Sequence, residues 1–237
     1  MTTALPTPDG EMPVYVAGDD ATARAAVVVI QEAFGVTPHI ERCADRLAAE
    51  GYYAIAPALF HRTTTASFAY DNFEPIAPHM QALTKEGIEA DLAAAAAHLD
   101  ERGFGPRERG IVGFCMGGSV TVDAATLGTF AAAVTFYGGG VATGRFGFPP
   151  LVELATSIRC PWLGCYGDLD KGIPPEDVEA LRAAASRAPV PTEVVRYERA
   201  DHGFNCEDRP AVYNAAAAAD AWGRMLAFFA AHLATRS

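Results

Sequence analysis

The sequence predicts an α/β fold in which a mostly parallel central sheet carries helices on both faces, in a single domain spanning residues 1–237. Three observations predict it. Short, nearly continuous apolar runs alternate along the chain with longer segments of helical spacing, the pattern of strands buried on both faces and joined by crossover helices. Three of the five helical segments stop at a glycine, Gly51, Gly103 or Gly128, as helices commonly do. At 110–119 an apolar run turns directly into a helix through a glycine-rich corner.

Residues 13–17 read as an antiparallel edge strand. The run 25–31 is a buried strand, 38–50 a helix ending at Gly51, and 52–57 the next strand. From 60 to 78 no period is visible; the segment holds Phe68, Tyr70 and Phe73 and either caps the sheet edge or packs as a surface loop. The helix 86–102 contains alanines 93–97, alanine being the best helix former. Strand 110–114 leads into helix 116–127, and strands follow at 132–137 and 160–166. Proline opens helix 175–187, where its fixed φ suits the first turn. Strand 192–197 alternates polar and apolar residues, and helix 210–233 closes the chain.

With 50% hydrophobic and 20% charged residues in 237, the chain can bury a large core, and no linker interrupts it. No basic, apolar and cleavable leader is visible, and no apolar run approaches the ~18 residues of a membrane span, so a cytoplasmic location without membrane contact is expected. Five cysteines, an odd number without a paired framework, suit a reducing compartment. Cys160 and Cys165 lack a second Cys/His pair at zinc spacing, so no metal is expected. A net charge of −11 argues against nucleic acid and anionic membranes as partners.

Gly113-Phe114-Cys115-Met116-Gly117 is a G-x-C-x-G corner, the thiol form of the G-x-S-x-G nucleophile elbow, in which glycines let strand and helix crowd together beneath the nucleophile. The helix N-terminus favours thiolate over thiol, and the Met116 N–H points where an oxyanion forms. Hydrolases with this elbow supply an acid and then a histidine further along. The run ending at Tyr166 opens into Gly167-Asp168-Leu169-Asp170-Lys171-Gly172-Ile173-Pro174, and strand 192–197 is followed by Ala200-Asp201-His202-Gly203-Phe204. Singly, these are a core cysteine, a turn-capping aspartate and a loop histidine. Together, three correct residue types at three strand ends in the required order point to a triad. Spacing alone leaves Asp168 and Asp170 both open.

These pieces, with Gln31-Glu32-Ala33-Phe34-Gly35-Val36, resemble the dienelactone hydrolase (carboxymethylenebutenolidase) family of α/β-hydrolases, and the resemblance runs along nearly the whole chain. It implies an α/β-hydrolase fold and, through the pattern G-x-x-D-x-x-[VI]-P, assigns the acid to Asp170. It implies that Glu32 contacts the thiol at rest and helps to ionise it when substrate arrives. That role suits a carboxyl whose pKa is raised in a partly dry pocket. The Ala33 N–H would join that of Met116 in the oxyanion hole, with Phe34, Tyr137, Phe204, Cys206 and Arg62 as candidates for lining the substrate pocket.

The chain departs from the family where substrate is gripped. The family's arginine four residues after the histidine is Cys206 here, and 63–85 contains no arginine, which leaves Arg62. Neutral substrates are therefore expected to be preferred to carboxylated ones. The expected activity is hydrolysis of a small ester or lactone through an acyl-enzyme, with Cys115 as nucleophile, His202 as base then acid, and Asp170 holding the imidazole tautomer. No cofactor is expected, the partner is a small-molecule ester or lactone, and the chain is a monomer or weak homodimer. Two rival readings are an idle hydrolase-fold protein that binds a small ligand, and a redox-sensing thiol protein using Cys115 with Cys206 as resolving thiol.

Overall fold

Eight strands and seven α-helices make up residues 1–236, the part of the chain that the computed structural model describes. The strands are β1 (Thr2–Thr7), β2 (Gly10–Ala17), β3 (Ala25–Ile30), β4 (Tyr52–Pro57), β5 (Arg109–Phe114), β6 (Ala132–Phe136), β7 (Trp162–Gly167) and β8 (Thr192–Tyr197). The helices are α1 (Pro38–Ala49), α2 (Ala77–Gln81), α3 (Lys85–Glu101), α4 (Met116–Ala124), α5 (Leu151–Leu154), α6 (Pro175–Ala185) and α7 (Ala215–His232). The strands form one sheet in the order β1-β2-β4-β3-β5-β6-β7-β8. β1 pairs antiparallel with β2 and β2 with β4; every other pairing is parallel.

Every residue of β3, β4, β5, β6 and β7 is buried, which is why these strands read as unbroken apolar runs rather than alternating ones. Successive side chains still part to opposite faces. Ala26, Val28 and Ile30 join one core with Ile88 and Leu92 of α3, Val120 of α4 and Leu181 of α6. Ala25, Val27 and Val29 join the other with Ile40 and Leu47 of α1 and Trp222, Met225 and Phe229 of α7. Burying each Val or Ile of this kind stabilises by roughly 1.5–3 kcal/mol before chain entropy is subtracted.

The structure corrects the sequence reading at several ends. The strand expected at 13–17 begins at Gly10 and is not the edge, because β1 pairs outside it. β1 buries only Leu5 and carries Pro6, a residue tolerated at a sheet edge because its missing N–H takes nothing from a ladder. The closing helix begins at Ala215, not 210: the Asn214 side chain accepts the Ala217 N–H at 3.1 Å and caps the first turn. Helix 116–127 ends at Ala124. The segment 60–78 holds a 3₁₀ turn at Glu74–Ile76 and runs into α2, and α5 is a single turn; none of these had a periodic signal.

Candidate active site

Close approach of β5 and α4 builds the corner. A Cβ on Gly113 would collide with the Gly117 carbonyl, and one on Gly117 would stand 2.5 Å from the Ile30 oxygen. The turn holds Cys115 at φ 55°, ψ −112°, a conformation that a side-chain-bearing residue keeps only under constraint. The constraint is visible: the Cys115 N–H donates to the Phe136 carbonyl at 3.0 Å and the Gly117 N–H to that of Gln31 at 3.1 Å. Cys115 as a residue is partly exposed, whereas Cys43, Cys160, Cys165 and Cys206 are buried.

His202 follows β8 on a loop and donates from Nδ1 to Asp170 Oδ2 at 2.6 Å. Asp170 is itself fixed, its Oδ1 accepting the Gly172 N–H at 2.8 Å. His202 and Cys115 also act on one another's charge. Burial disfavours charge on both partners, yet each supplies the other's counter-charge: the thiol is held below its ordinary pKa and the imidazole above it, Asp170 adding to the latter. Each group thus favours the charged form of the other. Asp168 points elsewhere, into a bidentate pair with Arg196 at 2.8 Å from both Nε and Nη2.

Glu32 lies just beyond β3 and is fully buried. Tyr70 donates to its Oε2 at 3.3 Å and Tyr137 to its Oε1 at 3.5 Å. Burial pushes its carboxyl pKa up, against the lowering effects of Arg209 and His202. Met116 opens α4, so its N–H has no intrahelical acceptor, and it favours the thiolate. The Ala33 N–H, among the described residues, donates to no backbone carbonyl.

Of the expected pocket residues, Tyr137 lies with its ring 5.1 Å from that of His202 and 5.2 Å from that of Phe204. The Phe34 ring meets that of Tyr70 at a tilt, 4.5 Å between centres, and that of Phe73 edge-on at 5.8 Å, and Ala33 and Phe34 pack with Phe68 and Tyr70, so the segment 60–78 does cover this edge. Cys206 is buried beside Glu32 and Tyr70, its thiol pushed up to about 11 by burial and then by Glu32. Arg62 does not belong to this group. Its guanidinium is consumed by Asp91 at 2.8 and 2.9 Å, Asp9 at 2.7 Å and the Gly87 carbonyl at 3.1 Å. The cation that sequence reasoning missed is Arg209, whose guanidinium carbon lies 5.7 Å from the Phe34 ring centre and 5.8 Å from that of Tyr70. Among the described residues no carboxylate forms an ion pair with it. Its one sequence signal was membership of the loop that carries His202.

The model of the dienelactone hydrolase family matches residues 12–233. A Salmonella typhimurium protein provisionally named carboxymethylenebutenolidase is 38% identical over 232 residues, covering 96% of this chain and 86% of that protein. The carboxymethylenebutenolidase of Rhodococcus opacus is 29% identical, covering 95% of this chain and 88% of that protein. Among solved structures, a provisionally identified dienelactone hydrolase of Klebsiella pneumoniae superposes with a TM-score of 0.87 at 35% identity, covering 97% of both chains.

Proposed function

Because the chain belongs to the dienelactone hydrolase family, we propose that it hydrolyses small esters or lactones, using Cys115 as nucleophile and passing through an acyl-enzyme. The observation that carries the proposal is the 2.6 Å hydrogen bond from His202 to Asp170, beside a thiol held on a strained elbow. Asp170 keeps the Nδ1 proton in place, so the opposite ring nitrogen deals with sulfur, leaving group and water in turn. The thiolate adds to the substrate carbonyl, and the oxyanion takes hydrogen bonds from the Met116 and Ala33 N–H groups. Collapse breaks the ester C–O bond, His202 protonating the departing alkoxide. His202 then takes a proton from water, which attacks the thioester and returns Cys115 as thiolate. Glu32, whose carboxyl pKa is raised by burial, serves in this reading as acceptor for a thiol proton when substrate changes the local charge.

The redox reading gains no comparable support, since Cys206 lies against Tyr70, Glu32 and His39. Kinetics and mass spectrometry test the proposal. Cys115→Ala is expected to abolish turnover of short-chain aryl esters while circular dichroism stays native, and wild type quenched during turnover is expected to carry the acyl mass on Cys115. More than trace turnover in the alanine variant rejects the proposed nucleophile.

A further inference from the structure

Glu32 also belongs to a second cluster. A carboxylate oxygen of Glu32, a ring nitrogen of His39 and Sγ of Cys206 lie within 4.8 Å of one another, and all three residues are buried. Cys43 adds another thiol, its Sγ 3.8 Å from His39 Nε2. His39 and Cys43 stand one turn apart on the buried face of α1, while Glu32 arrives from the end of β3 and Cys206 from the loop after β8. Independently, Asn205 is 3% exposed and neither its amide nitrogen nor its oxygen has a hydrogen-bond partner. Asn205, His39 and Cys43 line a common cavity of about 110 Å³. The charge of Arg42, which also lines it, is met by Glu207 at 3.0 Å and Asp208 at 2.6 Å, and the other lining cation, Arg46, lies over the Trp222 ring, 3.7 Å from its centre.

We infer that Glu32, His39 and Cys206, with Cys43 as fourth donor, form a binding site for a thiophilic divalent cation of the zinc type, and that its occupation inhibits the hydrolase. One carboxylate oxygen, one imidazole nitrogen and two sulfurs are zinc donors, whereas magnesium and calcium ask for oxygen alone. Tetrahedral zinc at ~2.0–2.3 Å from its ligands sets donor atoms roughly 3.3–3.8 Å apart, so side-chain rotation draws the Glu32, His39 and Cys206 donors together, and Cys43, outside that trio, joins by turning its Sγ inward from beside His39. The thiol protons leave to solvent as the metal binds, and no oxidation state changes. A Glu32 that ligates metal is withheld from Cys115; this inhibitory half rests on the proposed function, the binding half does not. Four ligands from three separate segments carry no spacing motif, which is why the cysteine count gave no sign of them.

The test uses Cys115→Ala, in which the thiol of the triad cannot be the ligand. Calorimetry is expected to find one zinc ion per chain, and cobalt titration to give thiolate-to-metal charge-transfer bands. Adding Cys206→Ser or His39→Gln is expected to weaken zinc binding by at least about tenfold. If those double variants fail to fold, the cobalt bands of Cys115→Ala decide alone: their presence supports thiolate ligation outside the triad and their absence overturns it. Failure of Cys115→Ala to bind zinc, or binding undiminished by Cys206→Ser, also overturns the site. In the otherwise wild-type chain, His39→Gln is expected to preserve turnover and lose zinc sensitivity by a similar factor. Zinc bound at this cluster without effect on turnover overturns the inhibitory role.

Discussion

Asp168 and Asp170 share one turn but answer to different cations. Asp168 is half of an ion pair with Arg196, and Asp170 faces the His202 imidazole. Asp170→Asn can present an amide N–H₂ to Nδ1 and stabilise the wrong tautomer, so kcat is expected to fall by roughly 10²–10⁴. Asp168→Asn loses a partly exposed pair, and its effect is expected to stay within about twofold in kcat and about 1 kcal/mol in stability. Steady-state kinetics of both variants on one ester check this, and a larger loss in Asp168→Asn would move the orienting role. At this scale Cys115 and His202 stood out because each follows a strand end marked by glycines or an apolar run, whereas spacing left Asp168 and Asp170 both open, and Asp170 and Glu32 were singled out by the family resemblance. Arg62 and Arg209 were misjudged because an arginine's destination depends on partners far away in sequence, here Asp91 and Asp9 for one and the Phe34 and Tyr70 rings for the other.

The elbow helix α4 carries a cost of its own. Both carboxylate oxygens of Asp123 are buried without a hydrogen bond, and the nearest cation, Lys85 Nζ, is 3.6 Å away. Burial, with Glu89 adding and Lys85 opposing, raises the Asp123 pKa to about 6 from 3.8. A carboxyl whose folded pKa exceeds its unfolded value favours the fold below the unfolded pKa, and that advantage is lost as pH rises through the folded pKa. Asp123→Asn is therefore expected to stabilise the protein by about 1–3 kcal/mol at pH 8, with the gain shrinking toward zero at pH 4. Denaturant melts at the two pH values measure it, and an equal gain at both excludes ionisation as the cause. Among the elements, the buried parallel strands announced themselves as apolar runs. β1 did not, because a strand with one buried residue and a proline is made by its pairing with β2, not by its own composition.

Across the whole molecule, a net charge of −11 repels anionic substrates at long range, but screening confines that effect to about 10 Å in ordinary buffer. At short range Arg209 lies over the Phe34 and Tyr70 rings and its charge acts on Glu32. The expected preference for neutral substrates rested on Cys206 and on the absence of arginine from 63–85; it overlooked a cation arriving three residues after Cys206. Arg209→Gln is expected to raise KM for a carboxylated lactone roughly ten- to hundredfold while changing a matched neutral ester by less than about twofold. An unchanged ratio of the two kcat/KM values removes Arg209 from substrate recognition.

The sheet order has a consequence in time as well as space. Glu32 and Cys115 follow β3 and β5 at the middle of the sheet, whereas Asp170 and His202 follow β7 and β8 at its far side and leave the ribosome later. During synthesis the elbow can form as soon as β3, β5 and β6 have assembled, yet its sulfur then has no imidazolium beside it. Without that counter-charge the thiol is expected to be less nucleophilic. The pairing of Cys115 with His202 is therefore completed only when the last strand docks.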